Sequence, residues 1–274
     1  MDQDLSRVTR REWLFAAAGL CCPPLLASED SLHADWQTLL ARHVRWNDEW
    51  TATTVDYAGF RTDRALLDRY LDALSAIARE RFERWPKPER DAFLINAYNA
   101  FTVRLILDAP ADVRSIRDLG SLFRSPWKQR FFDLLGERRH LDEVEHELLR
   151  GAPDYRDPRI HFAVNCASIG CPALRPEAYS GELLDAQLED QTRRFLADRA
   201  RNRALPAQRR MEISPIFDWY REDFERGFAG AESLPKFLAR YADVFGLDAE
   251  QARSLAAGGW RIGFTEYDWA LNGG

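Results

Sequence analysis

The chain has 274 residues, enough for one large domain or two small ones around a buried core. A hydrophobic fraction of 46%, with 9 Trp, 16 Phe and 8 Tyr, excludes a mainly disordered polypeptide. A net charge of −6 excludes a surface built for phosphate backbones, so no nucleic-acid partner is expected; Lys87, Lys128 and Lys236 are the only Lys among 38 basic residues, an Arg excess that reflects a GC-rich genome.

Residues 1–27 read as a twin-arginine export signal. Thr9-Arg10-Arg11-Glu12-Trp13-Leu14 has the form of that motif, and the uncharged run Trp13 to Ser28 follows it directly. Broken by Pro23 and Pro24, the run is short for the roughly 20 apolar residues of a bilayer span. Cleavage after Ala27 would remove Cys21 and Cys22; retention as an N-terminal anchor is the alternative. A lipoprotein is disfavoured because Leu20 precedes Cys21 where a small residue is wanted. The mature product, 28–274, is expected to be periplasmic or extracellular, without a membrane span, where disulfides are permitted.

In chain order, apolar spacing predicts a helix over Asp35 to Trp46, a short strand or loop at Val55 to Phe60, and a second helix over Arg61 to Ile77. Trp85-Pro86-Lys87-Pro88 is a stop and restart, with Pro88 near the first helical position. The most apolar helix, Glu89 to Leu107, should run through the core. Lys128 to Leu141 suits a hairpin turning at Gly136, Asp142 to Arg150 a short helix, and Arg159 to Asn165 a buried strand. Gly181 to Ala197 is a long amphipathic helix, and Arg199 to Arg210 a polar loop. Arg210 to Ile213 reads as a strand, Leu234 to Phe245 and Ala249 to Ala257 as helices, and Arg261 to Tyr267 as a closing strand. Without a regular βαβ rhythm or an internal repeat, this order favours an α+β single domain with a central buried helix and a small antiparallel sheet.

The chemistry concentrates in three places. On the core helix, Asn96 and Asn99 fall within about 60° of each other among apolar residues. Buried amides need partners, so they either tie down backbone or orient a base and an oxyanion. Asp142-Glu143-Val144-Glu145-His146 offers a capping box with Asp142 as N-cap and Glu145 at N3. His146 lies roughly 140° from the apolar face of that helix, so it points to water or lines a cleft. Third, Asn165-Cys166-Ala167-Ser168-Ile169-Gly170-Cys171-Pro172 carries the two cysteines of the mature chain in a Gly/Pro-punctuated loop.

Three readings stand for that loop. Cys166 can be a thiolate nucleophile with His146 or His161 as base. Cys166 and Cys171 can form a disulfide closing a small loop. Zinc held by both cysteines, His146 and His161 is disfavoured by the uncommon C-x4-C spacing, and no metal is expected. Neither a Gly-rich phosphate loop nor an HExxH motif is present, and no cofactor is expected.

Phe93 to Leu107, Leu141 to Arg150 and Asp157 to Tyr179 resemble the family catalogued as domain of unknown function 547, as do Val55 to Gly59 and Tyr267 to Asn272. The resemblance spans residues 28–274. It implies a distant papain-like or transglutaminase-like fold, with Cys166 as nucleophile, His146 as base and Glu145 as orienting group. Asn96, Asn99, His161, Asn165, Ser168 and Cys171 are then substrate-binding or orienting candidates. The expected function is an exported cysteine-dependent hydrolase or acyltransferase acting on an amide or ester of a small molecule or peptide, with Cys166 a free thiol near His146 or His161. The alternative is a non-catalytic, disulfide-stabilised periplasmic binding module.

Overall fold

The computed structural model describes residues 32–110, 112–120 and 125–273, so the export signal lies outside the described residues. The centre is the helix Lys87–Leu107, which starts where the sequence restarts at Pro88 and buries fifteen consecutive or near-consecutive residues from Ala92 to Leu107 on almost every side. A helix apolar all round can only be stable when neighbours cover every face. Ala34–His43, Tyr57–Thr62 and Arg64–Ser75 supply that cover, through Trp36, Leu39, Phe60, Leu67, Tyr70 and Leu74. No helix among the described residues is long and apolar enough to cross a membrane.

The fold is α+β with small sheets. Val44–Trp46 pairs antiparallel with Thr53–Val55, so the first helix ends three residues earlier than its spacing predicts. β-Branched Val44 favours the extended state once a partner strand is present. Phe132–Leu134 and Glu137–Arg139 form the expected hairpin, and Leu135 and Gly136 both take positive φ, as a tight two-residue turn requires. The third sheet pairs Arg203–Leu205 antiparallel with Arg210–Ile213, which pairs parallel with the closing strand Arg261–Phe264. A second apolar cluster, centred on Phe162, Phe195, Phe217, Phe224 and Phe237, packs beside this sheet.

Two segments depart from their expected form, both next to the chemistry. Residues Pro158–Phe162 form a 3-10 helix rather than a strand. The side chain of Asp157 accepts from the Arg159 N–H and Pro158 occupies the first turn, a helix-start signal that outweighs the apparent alternation. With neighbours on all sides, every residue from Pro158 to Asn165 is buried, and period two carries no information there. The helix expected from Asp142 begins instead at Leu141, capped by His140. Its Nδ1 accepts from the Glu143 N–H at 3.1 Å, and Glu143 accepts from the His140 N–H at 3.2 Å. From Val144 to Leu149 the turn widens to a π-helix. Such one-turn π segments recur at functional sites.

Candidate functional site

The Cys166 loop and the chain that follows it are held by asparagine side chains bonded to backbone groups. Asn99 Nδ2 donates to the Ala163 carbonyl at 2.9 Å and its Oδ1 accepts from the Asn165 N–H at 2.8 Å, both buried. Asn96 makes the same two-way clasp with Tyr179, donating to its carbonyl at 2.7 Å and accepting from its N–H at 3.0 Å. Both amides are thus tied to backbone, and neither lines the cavity described below. Asn165 works inside the loop, with Oδ1 accepting from the Ala167 N–H and Nδ2 donating to the Pro172 carbonyl.

The C-terminal stretch closes the loop from outside. Ile169 and Gly170 N–H groups donate to the carbonyls of Ala270 and Asp268, and Asn272 N–H donates to the Ala167 carbonyl. Asn272 Oδ1 accepts from the Tyr57 hydroxyl at 2.7 Å, while its Nδ2 reaches Asn165 Oδ1 at 3.3 Å. The segments Val55 to Gly59, Asn165 to Pro172 and Tyr267 to Asn272, far apart in sequence, therefore meet at one buried hydrogen-bond network.

Within the loop Ala167 takes a positive φ of 63°, and Cys171 N–H turns back to the Ser168 carbonyl. This brings the Cys166 and Cys171 Cα atoms to 6.2 Å, inside the range that a disulfide spans, and the two sulfurs are bonded. The expected free Cys166 thiol is not what the structure holds. Ser168 is buried, its Oγ 3.6 Å from Cys166 Sγ.

The disulfide forms part of the wall of a cavity of about 220 Å³. Tyr98 comes from the core helix, Glu145 and His146 from the π-turn, His161 from the 3-10 helix, and Trp219, Tyr220, Tyr267 and Trp269 from the C-terminal third. Trp219, Tyr267 and Trp269 lie 4.5 to 5.9 Å apart by ring centroids and make an aromatic side to the space.

His161 is the best-prepared base in the cavity. Its Nε2 lies 2.7 Å from Asp223 Oδ2, its ring stacks on Tyr220 at 3.8 Å, and it is almost wholly buried. Burial alone would raise Asp223, but hydrogen bonds from His161 and from Arg150 Nε at 2.6 Å outweigh it and hold the carboxyl far below the usual range. Burial pushes the His161 imidazole below its ordinary value despite the pull of Asp223. A neutral ring donating from Nε2 to Asp223 leaves the lone pair on Nδ1, and Nδ1 has no hydrogen-bond partner among the described residues.

His146 is placed differently. Its Nδ1 is 2.6 Å from Arg150 Nη1, a donor that occupies the lone pair, and its Nε2 is 3.8 Å from Asp142. Glu145 does not pair with His146; it is buried, and its Oε1 accepts from the Tyr220 hydroxyl at 2.6 Å. The N3 position expected for Glu145 belongs to Glu143, because the helix is capped two residues earlier, by His140. The structure therefore brings Cys166, Cys171, His161, His146 and Glu145 to one cavity, and leaves Asn96, Asn99, Asn165 and Ser168 as the frame behind it.

Sequence reasoning missed two groups. Asp223 sits in Arg221–Phe224, a short helix with no spacing that marks it as a partner for His161. Tyr267, whose hydroxyl lies 3.2 Å from Cys166 Sγ and 3.1 Å from Cys171 Sγ, opens the Tyr267 to Asn272 motif, which was the one available signal.

Residues 82–196 match the family described as protein of unknown function, DUF547. This segment belongs to that family. It includes the core helix, His146, His161 and both cysteines, whereas Val55 to Gly59, Asp223 and Tyr267 lie outside it. No curated protein and no solved structure matches the chain.

Proposed function

We propose that the chain is an exported cysteine-dependent hydrolase or acyltransferase acting on an amide or ester, latent while Cys166 and Cys171 are joined. The observation that carries this reading is the buried Asp223–His161 pair, with Nδ1 unpartnered among the described residues, in a histidine that lines the same cavity as Cys166. After reduction, His161 Nδ1 takes the Cys166 thiol proton as the sulfur attacks the carbonyl carbon. The imidazolium then returns that proton to the departing amine or alcohol, leaving an acyl thioester on Cys166. Water or another acceptor attacks the thioester, with His161 again removing the proton and the thiolate departing. The role first given to His146 passes to His161, and that of Glu145 to Asp223. Tyr267, whose hydroxyl burial keeps protonated, donates to the carbonyl oxygen as charge develops there.

The test uses the full chain reduced with tris(2-carboxyethyl)phosphine and offered p-nitrophenyl acetate. A single acetyl adduct on Cys166 is expected, lost in Cys166→Ala and slowed in His161→Gln. Iodoacetamide should label reduced Cys166 well below the unperturbed thiol value of about 8.5, because thiol and imidazole share one proton. Labelling that begins only near that value, with no acyl adduct, refutes the reading.

A second reading, a non-catalytic binding module, is favoured by the disulfide itself. Under it, reduction lowers thermal stability while the liberated thiols stay unreactive. Export is part of the proposal and rests on Arg10-Arg11 and the uncharged run behind them.

A further inference from the structure

The two sulfurs of the Cys166–Cys171 bond occupy different surroundings. Cys166 is partly exposed, whereas Cys171 is buried. Two donors reach Cys171 Sγ: the Cys166 N–H at 2.9 Å, which is specific to that sulfur, and the Tyr267 hydroxyl at 3.1 Å, which also lies 3.2 Å from Cys166 Sγ and can turn to whichever sulfur carries the charge. A disulfide sulfur is a weak acceptor and gains little from them. A thiolate gains much more, because a hydrogen bond to an ionised acceptor is about twice as strong as one to a neutral group. The donors are therefore suited to the state in which the bond is broken and the charge rests on Cys171.

We propose that Cys166–Cys171 is an exchange-active pair that reacts with a small thiol entering the cavity, with Cys166 Sγ the atom attacked. The incoming thiolate forms a bond to Cys166 Sγ as the Cys166–Cys171 bond breaks, and its electron pair leaves on Cys171 as a thiolate held by the two donors. A second thiolate then attacks the mixed disulfide, releasing the oxidised small molecule and a Cys166 thiolate. Two small thiols are oxidised by two electrons in all, and the protein pair is reduced by the same two. The protons given up by the thiols end on the Cys166 and Cys171 sulfurs or in water.

The cavity also selects among thiols. Asp142 and Glu145 line it, and among the described residues neither Lys nor Arg does; Arg150 stands behind His146, paired with Asp223. A cationic thiol is favoured over an anionic one of similar size. This exchange needs no acyl donor, so it stands or falls separately from acyl transfer.

The test mixes the oxidised full chain with cysteamine or with 2-mercaptoethanesulfonate, corrects each rate for thiolate fraction, quenches with acid and locates adducts by mass spectrometry. The first adduct is expected on Cys166, forming faster with cysteamine. Tyr267→Phe removes one donor to the leaving thiolate and should slow the exchange by about tenfold. Cys171→Ser should retain a stable cysteamine adduct on Cys166 after exposure to cystamine; if that variant does not fold, the acid-quenched native chain still reports which sulfur is attacked. A first adduct on Cys171, reduction no faster than global unfolding, or an unchanged rate in Tyr267→Phe overturns the proposal.

Discussion

Replacing Asn99 by Ala tests the frame on which the site rests. Asn99 is 2% exposed, and its amide satisfies two buried backbone groups, the Ala163 carbonyl and the Asn165 N–H. Alanine leaves both without a partner, at about 1–3 kcal/mol each, so a loss of about 2–6 kcal/mol is expected. Against a typical domain stability of about 5–15 kcal/mol, that is a large fraction. Urea unfolding followed by tryptophan fluorescence gives the total. Amide hydrogen exchange gives the location, because the Asn165 N–H should lose its protection while the amides of the Phe132–Leu134 hairpin keep theirs. A loss under about 1 kcal/mol with Asn165 still protected would show that the loop finds other partners and that the clasp is not what holds it.

Asp223→Asn keeps an acceptor for His161 but removes the charge facing Arg150, and should slow acetylation of reduced Cys166 at least about tenfold with the fold retained, measured by adduct formation against time. His33 is buried, with Nδ1 2.7 Å from the Tyr70 hydroxyl, and burial lowers it from 6.5 to about 4. A lowered histidine binds its proton more readily in the unfolded chain, so its contribution is constant above pH 6.5 and is lost as pH falls from there to about 4, at a cost of about 3 kcal/mol. Urea titrations across that window should show a steeper decline for the native chain than for His33→Phe; parallel curves would refute the assignment. Replacing Arg10 and Arg11 by Lys should leave a precursor in the cytoplasm, seen by fractionation and immunoblot, whereas unchanged export removes the twin-arginine reading.

The sequence by itself determined what depends on local pattern. The restart at Pro88, the all-round apolar run to Leu107, the hairpin at Gly136 and the burial of Asn96 and Asn99 follow from spacing and turn chemistry, which act over a few residues. Local pattern misled where a neighbouring signal was stronger. Asp157-Pro158 started a 3-10 turn inside an apparent strand, and His140 took the cap that Asp142 also could have filled. The partners of the reactive groups were decided only by tertiary structure. Asp223 is 62 residues from His161, and Tyr267 is 101 residues from Cys166. No periodicity links such positions, because a hydrogen bond constrains distance in space and leaves no mark on spacing along the chain. The choice between His146 and His161 was of this kind. Both are histidines within reach of one loop in sequence, but packing gave Arg150 to the Nδ1 of one, while the other turns its Nε2 to a buried carboxylate and keeps an Nδ1 that is unpartnered among the described residues.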